Sequence, residues 1–125
     1  MAKLGVGVVG LGWVSGEHVK AFQRNPHTEV VALCSRDFEK ARAKAAQVGE
    51  ACQAYDDYEA MLADDRVQAV SICTPHPLHA AQGIAAAKAG KHLVIEKPVA
   101  LNVKDLQALR DAVRKAKVKS VVSFV

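Results

Sequence analysis

The stretch Gly10-Leu11-Gly12-Trp13-Val14-Ser15-Gly16 decides how the rest of the 125-residue chain is read. It follows an apolar run, Leu4 to Val9, and opens a segment with helical spacing. A strand that ends in glycines and re-enters as a helix has the form of a phosphate-binding turn. Gly10 permits the tight reversal. Gly12 has no Cβ, so an anion can approach the backbone. Ser15 stands where a third small residue lets the helix pack close to the strand. The amides of the first helical turn, around Trp13 and Val14, would face the anion with the positive end of the helix dipole behind them. Glycines also mark ordinary tight turns, so the motif takes its meaning from its surroundings.

The length is that of one domain with a sound core. Half of the residues are hydrophobic and 24% are charged, an ordinary globular balance. No apolar run approaches the ~18 residues of a membrane span. The N-terminus carries a single Lys3 and no signal-peptide pattern, so a cytoplasmic protein is expected. Cys34, Cys52 and Cys73 are odd in number and scattered, which points to reduced buried thiols. The net charge of +4 is mild, and the basic residues are not interleaved with aromatics, which speaks against nucleic acid. The densest basic run, Arg114, Lys115, Lys117 and Lys119, reads as solvated cations at a helix C-terminus.

Strands alternate with helices along the chain. The strands are placed at residues 3–9, 29–34, 51–54, 67–73, 92–95 and from Ser120 to the end. Helices are expected at 13–24, 37–48, 57–63, from Pro77 to Gly90, and after Asn102 as N-cap. Leu101 and Leu106 flank that cap as a hydrophobic staple. The fourth helix is expected to turn Leu78, Ala81, Ile84, Ala85 and Ala89 inward. Such alternation gives an α/β, doubly wound parallel sheet with helices on both faces, a single three-layer domain.

Three strand ends carry chemistry. Ligands of open parallel sheets bind beyond the carboxyl ends of the strands. After strand two comes Cys34-Ser35-Arg36-Asp37, with Ser35 about 20 residues past the turn, where an acid usually holds the ribose of NAD. A small hydroxyl followed by an arginine suits a 2′-phosphate, and so NADP. Asp37 reaching the ribose of NAD, or serving only as a helix cap, stays open. After strand four comes Cys73-Thr74-Pro75-His76-Pro77-Leu78-His79. Cys73, His76 and His79 cross from strand to loop to helix without an evident fourth ligand, so no metal site is expected. His79 reads as an orienting or capping residue, and His18 as a hydrogen-bonded packing residue. After strand five stand Glu96, Lys97 and Pro98. A charged pair after a buried strand is costly unless paired or functional. Lys97 is an acid/base candidate if partly buried, and a plain surface pair with Glu96 otherwise.

Together these residues resemble the glucose–fructose oxidoreductase / inositol dehydrogenase (Gfo/Idh/MocA) family. The matching pieces are G-L-G-W-V-S-G-E-H at Gly10–His18, C-T-P-H-P-L-H at Cys73–His79, and A-G-K-H-L-V-I-E-K-P at Ala89–Pro98. The resemblance implies a Rossmann-type domain and NAD(P)-dependent interconversion of a hydroxyl and a carbonyl on a sugar, cyclitol or related metabolite. It assigns Lys97 to the catalytic centre beside the substrate hydroxyl. It places Glu96, with Lys97, at the nicotinamide end, often with a cis peptide before Pro98. Thr74, Pro75 and His79 would border the cofactor, and Ser35-Arg36 looks like the NADP-preferring form.

Family members carry a second domain for substrate and subunit contacts, and nothing in residues 1–125 resembles it. The chain is therefore expected to be the cofactor-binding domain alone, binding dinucleotide with little turnover. Its small-molecule substrate would belong to a full-length parent. A non-catalytic NAD(P)-binding sensor or scaffold is the competing reading, and a coenzyme A domain a third. The apolar run Ser120 to Val125 would be an uncovered edge, so self-association is expected there.

Overall fold

The computed structural model describes residues 2–123. Six strands form one sheet: β1 (Leu4–Val9), β2 (Thr28–Cys34), β3 (Gln53–Tyr55), β4 (Ala69–Ile72), β5 (His92–Glu96) and β6 (Ser120–Ser123). Their order is β3-β2-β1-β4-β5-β6, and every pairing is parallel. The order reverses between β1 and β4. That switch point opens a crevice at the carboxyl ends of the strands.

Five helices make the outer layers: α1 (Trp13–Arg24), α2 (Phe38–Val48), α3 (Tyr58–Leu62), α4 (His79–Lys88) and α5 (Val103–Ala116). On one face, Val14, Val19 and Phe22 of α1 and Ala41 and Ala45 of α2 pack on Val6, Val8, Val30 and Leu33. On the other, Met61 of α3, Ala86 of α4 and Leu109 of α5 pack on Val31, Val70, Ile72 and Ile95. The three-layer, doubly wound α/β sheet expected from the alternation is the observed one.

The details differ where local pattern is a weak guide. The third strand lies at Gln53–Tyr55 rather than 51–54. A 3₁₀ turn, His76–Leu78, precedes α4, so the helix proper starts at His79. Its buried face is His79, Ala80, Gly83, Ala86 and Ala87. Leu78, Ala81 and Ala89 are exposed, which corrects the expected face. In a segment so rich in alanine, apolarity marks no side. Packing decides, because a Cβ on Gly83 would lie 2.9 Å from a Leu109 methyl, and α4 and α5 close together there. Leu101 and Leu106 are 59% and 48% exposed, so the expected staple buries little. Of the final apolar run, β6 covers Ser120–Ser123, and Phe124 and Val125 lie outside the described residues.

The amino edge of the sheet is tied by side chains. Gly5 donates its amide to Gln68 Oε1 at 2.9 Å and accepts from the Gln68 amide at 2.8 Å. The Arg66 guanidinium donates to the Ala51 carbonyl at 2.7 Å and to Asp64 at 2.9 and 3.2 Å. Those bonds from Arg66 hold the Asp64 carboxyl low, at about 2.

Candidate functional site

The crevice begins at the turn between β1 and α1. Gly10 has φ +87°, and a Cβ there would lie 2.7 Å from the Cys73 and Thr74 backbone. Only glycine allows this left-handed conformation and this close approach of the two loops. Gly12 is the opposite case: a Cβ on it would meet nothing within 4 Å. Its backbone faces open space. Ser15 is 1% exposed and donates its hydroxyl to the Gly12 carbonyl at 2.7 Å, so it folds inward and keeps the helix close.

The helix start is open as well. No side chain caps α1, whereas Asp37 Oδ1 accepts the Lys40 amide at the start of α2 and Asn102 Oδ1 accepts the Asp105 amide at the start of α5. The first amides of α1, from Trp13 and Val14 on, therefore remain donors for a ligand. Bare main chain and free amides at a switch point fit a dinucleotide pyrophosphate.

Gly10, Ser35, Arg36, Thr74 and Pro75 line one cavity of about 400 Å³ at the carboxyl edge. All five are residues that the sequence points to. Arg36 is exposed, with its charge free to turn into the cavity. Asp37 gives Oδ1 to the helix cap, and its amide donates to Ser35 Oγ at 3.1 Å, so the loop is held in shape by its own residues. Lys40 also lines this cavity, and with Lys20 and Lys44 it lines an adjoining one of about 380 Å³ beside Gly12 and Trp13. Lys40 is not a residue that the sequence motifs single out. Its place in the first turn of α2, just after the loop that carries Arg36, is the signal that points to the crevice.

Thr74 donates its hydroxyl to Gln82 Oε1 at 2.5 Å. His79 departs from expectation. Its ring is fully buried, with one nitrogen 2.6 Å from the Thr74 carbonyl oxygen and the other 2.8 Å from that of Pro98. It does not border the crevice. It ties the loop after β4 to the loop after β5 from behind, because both nitrogens are engaged by main chain.

At the end of β5, Glu96 is 6% exposed and pairs with His18 at 3.0 Å. Lys97 is exposed, so the partial burial expected for it is absent within this chain, and it makes no ion pair with Glu96 among the described residues. The Lys97–Pro98 peptide is cis. Trp13, Val14, His18 and Glu96 share a further cavity of about 690 Å³ between α1 and β5. Trp13, 83% exposed, lines both this cavity and the basic one, so the two meet at the first turn of α1. The three thiols are free, and burial pushes those of Cys34 and Cys73 up to about 11. They are poor nucleophiles as placed. Among the described residues, no helix is long and apolar enough to cross a membrane.

Comparison with known proteins agrees with this geometry. Residues 4–124 match the Gfo/Idh/MocA model, described as an oxidoreductase family with an NAD-binding Rossmann fold. The chain is 40% identical over 112 residues to dTDP-3,4-didehydro-2,6-dideoxy-alpha-D-glucose 3-reductase of Streptomyces violaceoruber, covering 89% of this chain and 32% of that protein. It superposes on the WlbA dehydrogenase of Bordetella pertussis, solved with NADH and UDP-GlcNAcA, with a TM-score of 0.89 at 32% identity, over 97% of this chain and 37% of that one. It superposes on KijD10, a 3-ketoreductase of Actinomadura kijaniata solved with TDP-benzene and NADP, with a TM-score of 0.91 at 28% identity, over 98% and 38%. The chain thus spans 32–38% of the length of these relatives. Fold, open helix start and family match converge: the chain belongs to the Gfo/Idh/MocA oxidoreductase family, whose NAD-binding Rossmann fold it forms.

Proposed function

We propose that this chain is the cofactor-holding domain of an NADP-dependent oxidoreductase that interconverts a hydroxyl and a carbonyl on a sugar, cyclitol or similar small metabolite. The relatives solved with cofactor include both an NADH and an NADP complex, so the choice rests on this chain's residues. The observation that carries it is the cavity that Ser35, Arg36 and Lys40 line together, with Ser35 standing where an acid usually holds the ribose and with Asp37 and Asp56 as the carboxylates on its wall. Asp37 caps α2 instead. Arg36 would grip two oxygens of the 2′-phosphate, and Lys40 would add a point charge.

Bound in this crevice, NADP would supply the hydride donor or acceptor. The chain's own residues would do the rest. The amides of Trp13 and Val14 and the bare Gly12 would hold the pyrophosphate. Thr74 and Pro75 would wall the dinucleotide, and Glu96 would meet the ribose at the nicotinamide end. Lys97, exposed and next to Glu96 at the end of β5, would take the hydroxyl proton during oxidation and return it during reduction. Turnover needs positioning from both sides of the substrate, so slow turnover or none is expected of residues 1–125 alone. The three free thiols suit a reducing, cytoplasmic setting.

A titration of the chain with NADPH, NADH and coenzyme A tests the reading. NADPH binding at least tenfold tighter than NADH supports it, and tighter NADH or coenzyme A binding contradicts it. The exposure of Lys97 favours a second reading, a non-catalytic NADP-binding module. In a two-domain relative carrying this domain, Lys97→Ala separates the two: lost hydride transfer with retained cofactor binding favours the enzyme, and unchanged turnover removes Lys97 from the chemistry.

Self-association belongs to the same proposal. Among the described residues, strand β6 is a sheet edge paired with β5 alone, and Val121 on it is 61% exposed. Uncovered edges recruit other strands. Light scattering at rising concentration is expected to show dimers or larger species that Val121→Lys disperses, and a strictly monomeric chain would contradict this.

A further inference from the structure

A string of polar side chains, buried at Ser71 and Glu96 and half-buried at His18, runs from β4 across α1 to the end of β5. Ser71, fully buried, has its Oγ 2.6 Å from His18 Nδ1. The other ring nitrogen, Nε2, lies 3.0 Å from Glu96 Oε1. Cys73 Sγ stands 3.8 Å from Ser71 Oγ. These residues are far apart in the chain and meet because α1 lies against the sheet beside its switch point.

A serine, a histidine and a carboxylate in that order have the composition of a hydrolytic triad. Burial rules that use out, because Ser71 exposes none of its surface and no substrate carbon reaches its oxygen. The donor inventory gives the string another meaning. A carboxylate only accepts, so His18 Nε2 carries the hydrogen toward Glu96. With the ring neutral, Nδ1 holds the lone pair and accepts from the Ser71 hydroxyl. Ser71 Oγ in turn accepts from the Cys73 thiol, which burial keeps protonated. Every hydrogen in the string points toward Glu96.

Glu96 Oε1 is thus held from one side, while Oε2 makes no hydrogen bond among the described residues. No buried polar side-chain atom among the described residues lacks a partner, so Oε2 retains access to the cavity that Glu96 lines. We infer that His18 is a positioning residue. It holds the rotamer that aims Glu96 at the ribose next to the nicotinamide, and Ser71 in turn fixes the orientation of the His18 ring. This inference rests on the cofactor reading above, with Glu96 as the group that touches the ligand.

The test uses two ligands: NADPH, and 2′,5′-adenosine diphosphate, which keeps the 2′-phosphate half and lacks the nicotinamide riboside. Hydrogen bonds to charged groups are worth enough that losing one costs roughly tenfold or more in affinity. His18→Ala is expected to weaken NADPH binding by about that factor and to leave 2′,5′-adenosine diphosphate at the parent affinity. His18→Gln can still donate at the Nε2 position and is expected to retain most NADPH affinity. His18→Asn, which reaches only toward Ser71, is expected to behave like alanine. Equal loss of both ligands in His18→Ala, or unchanged NADPH binding, would overturn the inference. So would equal NADPH affinities for the glutamine and asparagine variants, a comparison that holds even where the alanine variant fails to fold. A parent chain that binds neither ligand would overturn the cofactor reading, and this assignment with it.

Discussion

The two edges of the sheet are built by different rules. At the amino edge, side chains tie the strand ends together: Gln68 clasps Gly5, and Arg66 bridges Asp64 to the backbone of Ala51. At the carboxyl edge, the chain around β1 is stripped of side chains, and the first amides of α1 are left without a cap. Glycine appears at both edges for opposite reasons. A Cβ on Gly5 would lie 2.0 Å from the Arg66 carbonyl oxygen, whereas a Cβ on Gly12 would meet nothing. The first absence of a side chain serves packing. The second leaves room for something that the chain does not itself supply. Stability and binding should therefore be separable by position.

The largest expected effect comes from alanine placed at these two glycines. Gly5→Ala must push β1 off the turn before β4, and a loss of more than about 4 kcal/mol is expected, enough to leave little folded protein. Gly12→Ala fits the observed backbone, with φ −76°, and should keep its melting temperature within about 2 °C. The same variant should bind NADPH at least tenfold more weakly, because the new methyl occupies the approach of the pyrophosphate. Calorimetry and titration on the pair check both halves. A Gly12→Ala chain that melts early would mean that the carboxyl edge is structural too.

Next in size is Arg36→Ala. Removing a charge-assisted, two-pronged contact should cost NADPH roughly tenfold to a hundredfold in affinity, with NADH little changed. Equal losses for the two cofactors would move the 2′-phosphate away from Arg36. Smaller again is Asp37→Ala. It removes the cap of α2 and should lower stability by about 1 kcal/mol without touching cofactor selectivity. If NADH affinity also fell, Asp37 would be a ribose ligand after all.

The smallest effect tests the amino edge by pH. The Asp64 carboxyl is held at about 2 by Arg66, below its ordinary value near 3.8. A depressed acid contributes stability that is fully present above its unfolded pKa and is lost as the pH falls through the folded one. The parent should therefore lose part of its melting temperature between about pH 4 and pH 2, and Asp64→Asn should lose less over that interval. Parallel acid profiles for the two proteins would remove this ion pair from the stability of the edge.

How much of this was legible in the sequence follows from the range over which each feature is encoded. The glycine turn and α1 are local, and α1 runs from Trp13 to Arg24 as its spacing indicated. The cap at Asn102 is equally local and is the expected one, and at Asp37 the cap is one of the two readings that the sequence leaves open. The five crevice residues from three loops could be brought together because the alternation of strands and helices dictates which loops share an edge. The face of α4 was misread, since its alanines carry no directional signal and Gly83 against Leu109 sets the contact. The pairing of His18 with Ser71 and Glu96 was out of reach of periodicity, because partners 53 and 78 positions away leave no local trace. His79 was recognised as an orienting residue, but its burial between two carbonyls, which takes it off the crevice wall, depends on how the loops after β4 and β5 close.

The crystal structure of this chain soaked with NADPH tests the central claim most directly. The account places the pyrophosphate oxygens within about 3 Å of the Trp13 and Val14 amides, over Gly12, and the 2′-phosphate against Ser35 and Arg36. Nucleotide density elsewhere, or a 2′-phosphate turned away from Arg36 into solvent, would contradict it.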